Sequence, residues 1–188
     1  MTENPVLFVG IDVAHKRDTA ALVAVARDRE ADRIWRYGHV IWKPPVFIPD
    51  ITACALHILN TRRVGAILYD PAQFVGEAQR LIDAGFEHVL HAINQQSMMV
   101  EVASTLHNHI QRHDFVCYKD AEFRGQYSWT NAVATERGYR IVKMKQSRPI
   151  DAVVAEAMAL WGANQDFAHM SSPAYSDSQH AIPLTDLA

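Results

Sequence analysis

The sequence predicts an α/β fold: one mixed sheet, an antiparallel three-strand meander followed by parallel strands, with helices on its flanks. Three observations predict it. Residues 6–13 (VLFVGIDV) form a nearly continuous apolar run, as a strand buried on both faces requires. Short polar turns at 14–17 and 27–32 divide the start of the chain into three strand-like segments, too close together for anything but antiparallel pairing. Beyond residue 43, helical patterns alternate with short apolar runs such as 64–69 (VGAILY).

After the strand at 6–13, residues 19–26 resume an Ala/Val/Leu strand, and 33–42 alternates imperfectly through Ile34, Tyr37, Val40 and Trp42. Pro44, Pro45 and Pro49 mark a loop, after which Asp50 is expected to cap a helix running to about Thr61. A strand at 64–69 follows, then a helix over 74–84 stopped by Gly85, and a short strand over 87–91. Residues 95–113 read as a helix, 115–118 as a brief strand, 119–135 as helical, and 139–144 as extended. Residues 150–163 form the closing helix. The expected organisation is one domain over 1–168 and a polar tail, read as disordered, over 169–188. Crossover rules place the strand ending in Asp70 beside the first strand, so that Asp12 and Asp70 emerge at one edge of the sheet.

With 188 residues, 49% of them hydrophobic and 21% charged, the chain suits a soluble globular domain. No apolar run approaches the roughly 20 residues needed to span a bilayer, and the start lacks the marks of a secretory signal. Cys54 and Cys117 form no CxxC pair, which fits a reducing cytoplasm. A net charge of −3 does not advertise nucleic-acid binding, although local basic groups exist at 15–17, at Arg62 and Arg63, and at Arg140, Lys143, Lys145 and Arg148. The phosphate-loop, GxSxG, HExxH and GxGxxG patterns are all missing, so their chemistries lack their usual marks. His109 and His113 can share a helix face, but no third zinc ligand follows at a convincing spacing.

Three acids carry the chemistry. Asp12 ends the run VLFVGID, Asp70 ends the run VGAILYD, and Asp151 opens the last helix. Singly, Asp151 also reads as a helix cap and Asp70-Pro71 as a turn signal. Together they stand where three core elements meet. Buried carboxylates repel by roughly 4 kcal/mol per pair at about 4 Å and an effective dielectric near 20. Neither strand run contains a lysine or arginine, so a divalent metal is the economical counter-charge. Magnesium and manganese suit such hard oxygen ligands, and a two-ion site cleaves phosphodiesters. Asp12 would bridge the ions, Asp70 and Asp151 would each complete one, and Asp18 lies across the turn from Asp12. Lys16 and Arg17 in that turn are candidate phosphate contacts, as are Lys143 and Lys145.

The segments FVGIDVAHKRDTAALVAV, ILYDPAQF, a long helix beginning near INQQ, and RPIDAVVAEAMA occur in that order across nearly all of 6–163. In this the chain resembles the nuclease domain of viral large terminases, the DNA-packaging motors of tailed phages, which have the RNase H-like fold. The resemblance implies a metal-dependent endonuclease that cuts concatemeric double-stranded DNA during genome packaging, with two Mg2+ or Mn2+ ions. It implies that Asp12, Asp70 and Asp151 are the metal-binding acids and that Asp18 is an accessory one. The pattern includes polar residues around Gln95, Asn131 and Lys145, to which no role is assigned. Implied partners are a terminase ATPase domain, the small terminase subunit and the portal, in the host cytoplasm, with the C-terminal end a candidate for portal or procapsid docking. The chain departs from the pattern at its third acid, where Asp151 stands alone after Ile150, and it carries no ATPase phosphate loop. Rival readings are a Holliday-junction resolvase or transposase-like nuclease of the same fold, and a non-catalytic module that docks on DNA or a portal.

Overall fold

The computed structural model describes residues 4–13, 19–28, 30–94, 96–165 and 167. The expected tail, and with it the end of the expected domain, lies outside them.

Three antiparallel strands come first: β1 (Leu7–Val13), β2 (Ala20–Asp28) and β3 (Arg33–Trp42). After helix α1 (Ile48–Thr61), β4 (Val64–Tyr69) returns to lie parallel to β1, and β5 (Leu90–Ala92) adds parallel to β4. β6 (Phe115–Val116) pairs in parallel with β3, which gives the sheet order β5-β4-β1-β2-β3-β6. The predicted adjacency of β4 and β1 therefore holds.

Alternation along the strands sorts the core into two layers. Leu7, Val9, Ile11 and Val13 of β1 face α1 and α2 (Pro71–Leu81), where Ile51, Ile58, Phe74 and Leu81 close the layer. Phe8, Ala21, Val23, Ala66 and Leu68 face the other way. There they meet α3 (Met99–Arg112), α4 (Ala121–Ser128) and α5 (Asp151–Asn164). A side chain such as Phe74, only 1% exposed, contributes on the order of 2–3 kcal/mol by burial.

The last helix sits deepest. Nearly every residue of α5 is buried, and its alanines let it lie close to the sheet. The closest approach is at Gly10, where a Cβ would stand 1.9 Å from the carbonyl oxygen of Ala155. A strand glycine marks such a place.

Three expectations need correction. Asp50 does not cap α1: the helix starts at Ile48, Phe47 is its N-cap, and Pro49 is accommodated in the first turn, where its missing N–H costs nothing. The second helix begins at Pro71 instead of 74 for the same reason, with Asp70 as its cap. Its α-helical part ends at Leu81, and a wider turn over Ile82–Phe86 follows, with Gly85 at φ 94°. The expected helix over 119–135 is α4 alone. β7 (Thr130–Thr135) follows it and pairs with β8 (Gly138–Lys143) in a separate two-stranded hairpin. That hairpin leans on α3: the Tyr139 backbone N–H donates to Ser104 Oγ at 2.9 Å, and the Tyr139 ring stacks on His107 with centroids 3.7 Å apart.

Candidate active site

The strand register places two of the predicted acids side by side. Ile11 pairs with Tyr69, so Asp12 and Asp70 are the next residues along neighbouring parallel strands. Both share the strand alternation of Phe8 and Leu68, the side chains that face α5. Gly10, on that same face, touches Ala155, which stands one helical turn from Asp151. Thr19, just before β2, reaches the same end of the helix: its Oγ1 donates to Asp151 Oδ2 at 2.5 Å. Asp12, Asp70 and Asp151 thus belong to one face at one end of the sheet.

Each carboxylate is held differently. Asp12 is 8% exposed and Asp151 4%, both buried for charged groups. Asp70 is partly exposed and caps α2, its Oδ1 accepting the Ala72 N–H at 2.9 Å. Asp151 is not the cap of α5: it is the first helical residue, and the cap position falls to Ile150, which has no side-chain acceptor. Gln126 of α4 substitutes from outside the helix, its Oε1 accepting the Ala152 N–H at 2.9 Å. The positive end of the α5 dipole therefore lies at Asp151, where it favours negative charge. Among the described residues, no three His, Cys, Asp or Glu side chains converge tightly enough to enclose a metal ion.

Asp18, Lys16 and Arg17 lie outside the described residues, as does Gln95. Lys143 ends β8 and is half-buried, whereas Lys145 is exposed on the strap that leads from β8 into α5. On that strap the Arg148 guanidinium sits 4.8 Å from the Trp129 ring centroid, a cation–π contact. Asn131 lies exposed on β7. His109 is taken up by structure: Nδ1 lies 2.6 Å from Asp114 and Nε2 2.7 Å from the Asn164 amide. His113 is the left-handed C-cap of α3, at φ 55°.

Beneath the first two turns of α5 lies a buried ionic network that the sequence reading missed. Arg36 of β3 donates to Glu156 through Nε at 2.5 Å and through Nη2 at 3.0 Å. Tyr127 donates to the same carboxylate, and the guanidinium lies 3.5 Å from the Phe123 centroid. Burial is the largest influence on the Arg36 pKa and works to lower it, but the hydrogen bond and charge of Glu156, with smaller contributions from Tyr127 and Cys117, together outweigh it and the value is raised. Burial pushes the Glu156 carboxyl up, against the pull of Arg36 and Tyr127. One signal was available: a lone acid amid AVVAEAMAL must find a cation if that helix is buried. Thr19 and Gln126 carried no such signal.

The sequence matches no family model and no curated protein. Solved structures do share the fold. The large terminase of bacteriophage HK97 superposes with a TM-score of 0.73 at 14% identity, over 87% of this chain and 40% of that one. The large terminase nuclease of thermophilic phage G20c with bound magnesium gives 0.64 at 12% identity, over 85% of this chain and 82% of its own. The large terminase nuclease domain of bacteriophage SPP1 with bound manganese gives 0.55 at 12%, over 84% and 86%. This chain spans well under half the length of the HK97 protein and most of the length of the isolated nuclease domains. A six-stranded mixed sheet in the order described, with α5 across its centre, is the RNase H-like fold of the large-terminase nuclease domains.

Proposed function

We propose that this chain is a divalent-metal-dependent endonuclease that cuts double-stranded DNA during viral genome packaging. The observation that carries the reading is the placement of Asp12, Asp70 and Asp151 on one face at one end of the sheet. Three hard carboxylates at one end of the sheet suit Mg2+ or Mn2+, and the fold neighbours solved with magnesium or manganese support that choice. Asp12 and Asp151 would hold the ions from buried positions, and Asp70 would join by swinging off its cap, with Asp18 beside them. Bound there as a pair, the ions would supply an activated water and steady the leaving oxygen. The chain's own part is to fix the acids on two strands and a helix, and to hold DNA. Lys143 and Lys145, with Lys16 and Arg17, would take phosphates beside the acids. In the host cytoplasm the partners would be an ATPase domain, a small terminase subunit and a portal.

Supercoiled plasmid with manganese tests the reading, comparing wild type with Asp70→Ala. Nicking and linearisation by wild type alone is the expected result. Equal cutting by both would overturn it. The alternative is a module that docks on DNA without cutting. DNA binding by both proteins with cleavage by neither would select that reading.

A further inference from the structure

Asp151 is gripped from two sides by residues outside its own helix. The hydroxyl of Thr19 donates to the carboxylate, and Gln126 accepts the N–H of the next residue, Ala152. Neither contact is forced by the fold. Ile150 leaves α5 without a cap of its own, and water would cap an exposed helix end. This end is buried: Thr19 is 6% exposed and Gln126 1%. A threonine here has few rotamers, so packing aims its hydroxyl in one direction. A carboxylate on the first turn has χ1 and χ2 to lose, and the Thr19 bond removes that freedom for Oδ2. Gln126 fixes the turn that carries it.

We propose that Thr19 is a positioning residue for the Asp151 carboxylate, with Gln126 as the anchor of the helix turn beneath. This rests on the reading that Asp151 holds a divalent ion. Outer partners of metal-binding side chains set affinity through orientation, and losing one costs about 10- to 100-fold. A mere helix tether would affect stability and leave ion affinity alone.

The test uses the full chain and manganese alone as the probe, with free Mn2+ followed by its paramagnetic resonance signal. Thr19→Val keeps the shape and removes the donor, whereas Thr19→Ser keeps the donor. Thr19→Val is expected to weaken Mn2+ binding about tenfold, and Thr19→Ser to stay within about twofold of wild type. The manganese concentration for half-maximal plasmid cleavage should rise by the same factor in Thr19→Val, with the saturated rate changed far less. Should Thr19→Val fail to fold, Thr19→Ala removes the same donor and gives the same comparison with Thr19→Ser. Unchanged Mn2+ affinity in a folded Thr19→Val protein, with binding lost in Asp151→Ala, would overturn the positioning role and leave the metal reading standing. A wild type that binds no Mn2+ would remove both.

Discussion

Gly10 and Ala155 meet backbone to backbone, and that contact sets the height of α5 above the sheet. A Cβ at position 10 would stand 1.9 Å from the Ala155 carbonyl oxygen and 3.0 Å from the Ala159 nitrogen. Main-chain atoms cannot rotate away as a side-chain tip can. Gly10→Ala must lift the helix, and with it Asp151, from Asp12. Overpacking of this kind costs typically 1–3 kcal/mol, and a backbone obstacle puts the expectation at about 3 kcal/mol or more. Urea denaturation measures the loss, and plasmid cleavage should fall even at temperatures where the variant remains folded.

Asp70 caps α2 and, in the proposed function, also holds a metal ion, and one substitution separates the two. As the cap of α2 it accepts the Ala72 N–H, and asparagine caps about as well. Asp70→Asn should keep stability within about 0.5 kcal/mol, while Asp70→Ala loses about 1 kcal/mol. Both should lose cleavage, because an amide oxygen is a poor substitute for a carboxylate facing a divalent ion. Thermal melts beside a nicking assay distinguish the duties. Full activity in Asp70→Asn would make Asp70 a cap and nothing more.

The buried Arg36–Glu156 pair gives a larger stability effect away from the ligand set. Glu156→Gln leaves the guanidinium without its counter-charge, which costs about 3–5 kcal/mol. Replacing both partners, with Arg36→Met and Glu156→Leu, should recover most of that, since an apolar pair carries no desolvation penalty. Chemical denaturation of the single and double variants checks the coupling.

Acid should weaken the fold through its imidazoles. Burial lowers the pKa of His91, and burial also leads in lowering that of His39, against Asp120, which raises it. Above the ordinary value of 6.5 these rings are neutral both folded and unfolded, so they add no pH dependence there. Below it the unfolded chain takes up protons first, and stability drops as pH falls through 6.5 toward the lower folded values. His91 stacks on Phe167 with centroids 4.3 Å apart, so His91→Phe should keep the stack and flatten part of the slope. Denaturation midpoints at neutral and mildly acidic pH read it out.

Lys145 sits exposed on the strap entering α5. In an Asp70→Ala background, which is expected to bind without cutting, Lys145→Ala should reduce the slope of log affinity against log salt by about one. Fluorescence anisotropy of a duplex across salt concentrations supplies the slope.

What the sequence revealed follows from physics that is local. β1 and β4 announce themselves because a strand covered on both faces must be apolar throughout, and each carries an aspartate at its far end, Asp12 one residue before the end of β1 and Asp70 just after β4. β7 misled because its alanines favour helix and its residues are mostly exposed, which leaves no two-residue alternation to read. Asp50 misled because a proline inside a first helical turn looks like a loop in sequence. Of the site, the acids were visible and their holders were not: Thr19 and Gln126 gain meaning only when β2 and α4 arrive beside the first turn of α5.

The deep seat of α5 governs the order in which this molecule becomes whole. Phe8, Ala21, Val23, Ala66 and Leu68 are all made long before the helix that covers them. On the ribosome one greasy face of the central strands stays bare until residues 151–164 have cleared the exit tunnel. Asp12 and Asp70 wait with it, two charges lacking their third companion. A chain halted short of that helix would keep its apolar flank bare and lack Asp151, so the three acids come together in the same event that hides that flank.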